Sequence, residues 1–373
     1  MRRLVFFGGL AAAAIAVLAA PDDAKAAAAR SWSPFVLVAG LLLIGQVAHE
    51  EGLFDRAGAL AARHRGRSVV LLVGMIAVVA AVTVVLNLDT AVAFLTPILV
   101  LTARRRGLRE EPFLYASLFM ANAASLLLPG SNLTNLLVLA REHVSGLVFA
   151  SRMFPAWCAA VVTTTVVLVV LFRRDLRDAS ERDDSHPVTR GGVGAVATLV
   201  AGALVLFVHD AAIPVALIGA AAVLFRLTQQ RVRWQEVAEA VDVPVLTGLF
   251  ALAVGLGTLA GVWSGPADLL HTASAAETAQ VGAIGAVALN NLPAAVLFSS
   301  HAPLHPRALL IGLDLGPNLA VTGSLSALLW YRAAKTVGAA PSLRRVTTIG
   351  IVIVPLSLIA ALAATAVFAP SHL

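Results

Sequence analysis

The chain has 373 residues, 59% of them hydrophobic and only 13% charged, with a formal net charge of +6. A soluble domain carries about a quarter charged residues, so the composition excludes an ordinary soluble fold. The basic balance is a common mark of nucleic-acid binding, but here the arginines stand in short loops between apolar runs, where they orient membrane spans.

Apolar runs of about 18 residues or more read as spans, and they follow one another too closely for a separate soluble domain. The one cysteine, Cys158, lies inside such a run. It leaves neither a disulfide framework nor a zinc site, and the sequence calls for no cofactor.

Residues 1–33 hold Arg2 and Arg3, an apolar run over 4–20, and Ala-rich sequence with Asp22 and Asp23. This is an N-terminal transmembrane helix or a signal-like segment, with the N-terminus cytoplasmic unless it is cleaved. Both readings leave residue 33 outside. Segment 34–51 runs back in, and the loop after it carries Arg56, Arg63, Arg65 and Arg67. His49, Glu50 and Glu51 at its inner end read as a solvated helix end, with a gate as the alternative.

Val69–Leu86 and Ala91–Thr102 are apolar and flank Asn87-Leu88-Asp89-Thr90. Basic clusters lie on both sides, the second being Arg104-Arg105-Arg106. A single span would leave one cluster outside. A hairpin over 69–103 that enters from the cytoplasm and returns satisfies both. Segment 112–140 then crosses outward, interrupted at Pro129-Gly130-Ser131-Asn132, which cannot be regular helix interior. Span 152–172 returns to Arg173-Arg174. Residues 173–243 form a cytoplasmic linker and a connecting helix pair, 192–209 and 212–226, with His209 and Asp210 outside. Arg226, Arg231 and Arg233 mark the next inner loop.

The second half, 244–373, repeats the first, 34–172, upside down. Span 244–264 leads to a hairpin over 276–303 that turns at Asn290-Asn291-Leu292-Pro293. The broken segment 306–331 contains Asp314-Leu315-Gly316-Pro317-Asn318 and Thr322-Gly323-Ser324, and span 345–368 ends the chain. The expected fold is an all-α polytopic membrane protein of two inverted repeats, each with a re-entrant hairpin and a broken transmembrane helix. Interrupted segments at matching places of inverted repeats point to a transporter binding site.

Non-helical backbone survives at membrane depth only inside protein or beside a wet cavity. Turns and breaks must therefore face one another around a polar site, with the second hairpin helices starting near Thr90 and Pro293. Asn87, Thr90, Ser131, Asn132, Thr134, Asn290, Asn291, Asn318, Thr322 and Ser324 are the candidate substrate ligands. Asn122 and Asn135 read at least equally well as interhelical glue. Asp89 and Asp314 are the two deep acids. An ionisable residue there costs at least about 2.5–3.5 kcal/mol on insertion scales, which marks them as candidates for proton coupling; helix-end capping is the competing role. No Lys or Arg lies in a turn or break, which fits a neutral or weakly charged substrate.

Gly312-Leu313-Asp314-Leu315-Gly316-Pro317-Asn318 and Gly323-Ser324-Leu325-Ser326-Ala327-Leu328-Leu329-Trp330 resemble the signature of the arsenite permease family within the ion transporter superfamily. Asn290-Asn291-Leu292-Pro293 is similar to that family's Asn-Asn-hydrophobic-Pro motif, Asn87–Ala91 and Leu95–Ile98 to its first hairpin, and Ser131-Asn132-Leu133-Thr134-Asn135 to its first break. The chain departs from the family's Asn-Asp-Gly at the first turn, and lacks a Lys and a second Pro around Asn318 and Val321. The resemblance implies proton-coupled efflux of arsenite or antimonite, a small inorganic oxyacid, across the bacterial inner membrane. It also implies a soluble arsenical ATPase as an occasional partner and, in many superfamily members, a homodimer. A sodium/proton antiporter or a sodium-coupled anion carrier is the alternative, with sodium in place of the proton. An enzyme would need a catalytic set within the spans, and the sequence offers none.

Overall fold

The computed structural model describes residues 2–61, 68–140, 144–176, 192–208 and 210–368. Arg63, Arg65, Arg67, residues 177–190 of the linker and His209 lie outside them. The described residues are helical, without a strand, and six helical stretches are long and apolar enough to cross a membrane.

α1 (Arg2–Ala19) leads directly into α2 (Pro21–Glu50). α2 opens with Pro21 in its first turn, where no hydrogen bond is lost, and with Asp22 and Asp23 at the positive end of the helix dipole. Its 30 residues span about 45 Å. The expected start at residue 34 is therefore corrected: Pro34 lies inside α2. Gly52 turns the chain with φ of 71° into a short α3 (Leu53–Ala61), in a stretch expected to be loop.

α4 (Ser68–Val85) and α5 (Leu88–Arg105) are the legs of the first hairpin, with Leu86 and Asn87 at the turn. Gly58 of α3 faces both Met75 of α4 and Ile98 of α5. The legs are thus antiparallel, and their open end sits beside α3. α6 (Glu111–Ala124), a 3-10 turn at Pro129–Ser131 and α7 (Leu133–Leu139) form the first broken segment. The break starts earlier than expected, at Ser125. α8 (Gly146–Leu171), α9 (Val193–Phe207) and α10 (Ala212–Thr228) follow.

A second unexpected helix, α11 (Trp234–Val241), lies in the stretch read as an inner loop. Its start is held by the Glu236 carboxylate, which accepts the Arg233 N–H at 3.2 Å. The second half comprises α12 (Val243–Val262), α13 (Gly265–Asp268), α14 (Ala275–Leu289), α15 (Asn291–Phe298) and α16 (Pro306–Leu315). Two 3-10 turns, Gly316–Leu319 and Val321–Gly323, then lead to α17 (Leu325–Thr336) and α18 (Leu343–Phe368). The second hairpin's return leg stops at Phe298 rather than 303. Ser299 ends it, its hydroxyl donating back to the Ala295 carbonyl at 2.6 Å.

Small residues set the helix spacing. α1 runs alongside α12, where a methyl group on Gly9 would lie 1.9 Å from the Gly248 carbonyl oxygen. α2 packs on α10 with Gly40 against the backbone of Ala216, and Gly285 of α14 meets Ala294 and Phe298 of α15. α8 meets α18 at a 3.4 Å contact between the Thr164 and Ser357 hydroxyls. The second hairpin's open end, at Ser299 and Ser300, shares a cavity with Ala27 and Arg30 of α2. The two hairpins therefore open at opposite ends of α2.

Ion pairs gather at the end of α2 that faces α3. Arg104 pairs with Glu110, Arg109 with Asp175 at 3.0 Å and Arg345 with Glu111 at 3.0 Å. The solvated-end reading holds for Glu50, which is exposed, and fails for its neighbours. The Glu51 side chain is 5% exposed and lies 3.6 Å from the Arg226 guanidinium. It accepts the Gly194 N–H at 2.8 Å, so one carboxylate ties the ends of α2, α9 and α10. His49 stacks on Phe94 with ring centroids 4.5 Å apart.

Candidate functional site

The residues that open the broken and hairpin helices are caps. Asn87 accepts the Thr90 N–H at 2.7 Å at the start of α5. Asn132 accepts the Thr134 N–H at 3.0 Å at the start of α7. Asn290 accepts the Leu292 N–H at 3.4 Å for α15, and Ser324 the Ala327 N–H at 3.2 Å for α17. A helix start leaves several N–H groups without partners. An Asn or Ser cap satisfies one of them and stabilises by about 1 kcal/mol. Four of the sequence candidates thus have a local structural duty.

Two of the caps also reach across the fold. Asn132, while capping α7, donates Nδ2 to Oδ1 of Asp314 at 2.7 Å. Asp314 sits in the last turn of α16, with no exposed surface, and Ser125 and Asn135 flank the same carboxyl. Four residues on, Asn318 accepts Nδ2 of Asn122 at 2.8 Å and donates to the Phe119 carbonyl at 3.2 Å. The two breaks are bound together by these pairs. Asn290, the second cap that reaches across, donates Nδ2 to the Thr322 carbonyl at 3.1 Å.

The unwound carbonyls of the first break are held by Asn135, whose Nδ2 donates to Ser125 O at 2.8 Å and Leu128 O at 3.3 Å. Ser131 Oγ accepts the Leu128 N–H at 3.2 Å. Asn122 thus ties the two breaks to each other, and Asn135 ties the first break to α7. Three buried oxygens around this region have no protein partner among the described residues: Asn122 Oδ1, Asn135 Oδ1 and Asp314 Oδ2. Buried polar atoms are normally paired, so these are the atoms with capacity for a ligand.

Other candidates stand apart. Asp89 is half-buried and meets Ser326 of α17, outside the set around Asp314. Thr90 packs its methyl group on Gly45 of α2. Asn291 and Thr134 are buried. The Thr322 side chain is exposed, and its carbonyl, not its hydroxyl, accepts from Asn290. Asn290 has φ of 82° and ψ of 148°, a region that favours glycine and costs other residues about 1–3 kcal/mol. Sequence reasoning gave no role to Ser125 or Ser326; their only signal is that each adjoins a break.

Tightly packed apolar helices, two hairpins opening at opposite ends and two broken segments joined by buried amides define a polytopic membrane transporter. The chain belongs to the citrate transporter family, CitMHS, which matches over residues 1–315. It is 27% identical over 342 residues to an arsenical pump membrane protein of Escherichia coli, covering 80% of this chain and 78% of that protein. The arsenical pump membrane protein of Yersinia enterocolitica is 27% identical over 336 residues, with the same shares. A 46 kDa membrane protein of Mycobacterium leprae is 21% identical over 360 residues, 88% of this chain and 84% of that one. These relatives bear out the resemblance read from the motifs. The fold is similar to that of the Alcanivorax borkumensis YdaH transporter, with a TM-score of 0.55 at 15% identity over 91% of this chain and 86% of that one.

Proposed function

We propose that this protein is a secondary-active carrier that exports arsenite or antimonite across the bacterial inner membrane in exchange for protons. The observation that carries the reading is Asp314, a fully buried acid held by Asn132 of the other half at 2.7 Å. A carboxyl group in that place is able to take up a proton on one face and release it on the other while the breaks repack. Asp89 has the matching role on the first hairpin. We read the halves as inverted repeats, with the basic end of α2 in the cytoplasm as the loop arginines require.

The candidate ligands Asn87, Thr90, Ser131, Asn132, Thr134, Asn290, Asn291, Asn318, Thr322 and Ser324 are neutral amides and hydroxyls. That chemistry suits an uncharged trihydroxy acid, which donates and accepts hydrogen bonds alike. The arsenical pump relatives support the same substrate. A soluble arsenical ATPase and a second copy of the chain are the partners this reading admits.

A second reading, a sodium-coupled anion carrier, is favoured by the oxygens without partners, since hard cations are held by oxygen, and by the citrate transporter family itself. Reconstituted vesicles separate the two. Arsenite flux driven by an imposed pH gradient, without sodium, supports the first. Citrate flux that requires a sodium gradient and ignores pH sinks it.

A further inference from the structure

The turns and breaks carry no Lys or Arg, yet the tertiary structure brings one guanidinium onto the approach to them. Arg30 lies on α2 and lines a cavity of about 40 Å³ together with Ser31, Ser299, Ser300 and Leu137. It also lines a larger cavity of about 540 Å³ that reaches Pro129 and Leu136 of the first broken segment. Neither Arg30 nor Ser31 has a hydrogen-bond or ion-pair partner among the described residues. Ser31, Ser299 and Ser300 are each 9% exposed or less.

We propose that Arg30, Ser31, Ser299 and Ser300 form a second binding station for a small oxyacid, at the end of the molecule away from the basic loops. α15 runs from its turn at Asn290 to Ser299, and α7 from its cap at Asn132 to Leu139. Both end at this niche. The α15 leg is eight residues long, so the niche lies about 12 Å from the turn, one helix length outward from the breaks. A niche of about 40 Å³ has room for about three water-sized groups, the scale of the oxygens of a small oxyacid. Arginine brings up to five N–H donors and Ser31 a hydroxyl that donates or accepts, while Ser299, whose proton goes to the Ala295 carbonyl, and Ser300, beside His301, bring oxygens that accept. That combination takes the oxygens of an oxyacid in either charge state. The inference rests on the export reading and adds where the cargo pauses before leaving.

A bland alternative is that Arg30 only offsets the negative ends of α7 and α15. Arg30→Lys keeps that charge but loses the planar donor fork; Arg30→Gln loses both. Arsenite counterflow is measured in right-side-out and everted vesicles for wild type and both variants. The half-saturating arsenite concentration at the outer face is expected to rise at least about tenfold more than at the inner face, with Arg30→Lys failing to restore it. Equal change at both faces, no change, or full rescue by Lys overturns the station. If wild type moves no arsenite, the export reading fails first, and the niche is judged by thermal unfolding of the purified full chain. Stabilisation by arsenite or phosphate that is lost in Arg30→Gln supports it. Equal stabilisation of both proteins, none of either, or an Arg30-dependent effect of citrate alone overturns it.

Discussion

Asn132 and Asp314, 182 positions apart, are joined by a 2.7 Å hydrogen bond from the amide Nδ2 to the carboxyl Oδ1. The same Asn132 caps α7 with its other amide atom. One side chain therefore links the start of a half-helix in the first half to the buried acid of the second. A change in the charge of Asp314 would alter the bond that holds α7 in place, and that is the route the proposed proton coupling would take.

Asp314→Asn removes the titrating group while leaving an amide of the same shape. Proton-driven flux in vesicles is expected to fall by more than about tenfold, a loss equivalent to about 1.4 kcal/mol, with the protein still folded. Asn132→Ala leaves a buried carboxyl oxygen without its donor, which costs about 1–3 kcal/mol, and also removes a cap. It should lower the thermal unfolding temperature as well as the flux. Undiminished proton coupling in Asp314→Asn rules the acid out.

Asn290 holds a backbone conformation suited to glycine. Asn290→Gly removes strain of about 1–3 kcal/mol and gives up the bonds to Leu292 and Thr322, worth about 1 kcal/mol each. Stability is therefore expected to stay within about 1 kcal/mol of wild type while transport falls. Thermal unfolding measured beside transport checks the separation. A variant that transports normally shows that the turn needs the shape and not the amide.

Glu51 connects α2, α9 and α10 through Arg226 and the Gly194 N–H. Glu51→Ala leaves the mostly buried Arg226 without its counter-charge, and a loss of up to about 3 kcal/mol is expected. Gly192→Ala should resemble it, because a methyl group there would lie 2.4 Å from the Glu51 carboxylate. Both effects belong to stability, read as unfolding in mild detergent. A selective transport defect at unchanged stability would instead make Glu51 a gate.

Much of the fold was readable from local chemistry. Apolar runs and basic loops marked the spans, because the bilayer imposes length and charge on each segment separately. Clusters of proline, glycine, asparagine and other polar residues marked Asn87, Pro129, Asn290 and Gly316 as interruptions, because several such residues together cannot be regular helix interior, whereas the lone Pro34 and Pro97 lie inside α2 and α5. The short helices α3 and α11 were missed, since brief polar segments carry little periodic signal. So was the burial of Glu51, since nothing near it in the chain announces that Gly194 and Arg226 will close over it.

The sequence by itself determined that this chain spans membranes, where its helices break and which side chains have the chemistry to bind or titrate. Only the tertiary structure decided which of them meet. It paired Asn132 with Asp314 and Asn122 with Asn318, set Asp89 apart beside Ser326, turned the Thr322 side chain to the surface and carried Arg30 to the end of α15. Hydropathy and capping act over a few residues, whereas these pairings depend on how closely small residues such as Gly40, Gly248 and Gly285 allow distant helices to approach, and that is a property of the packed whole.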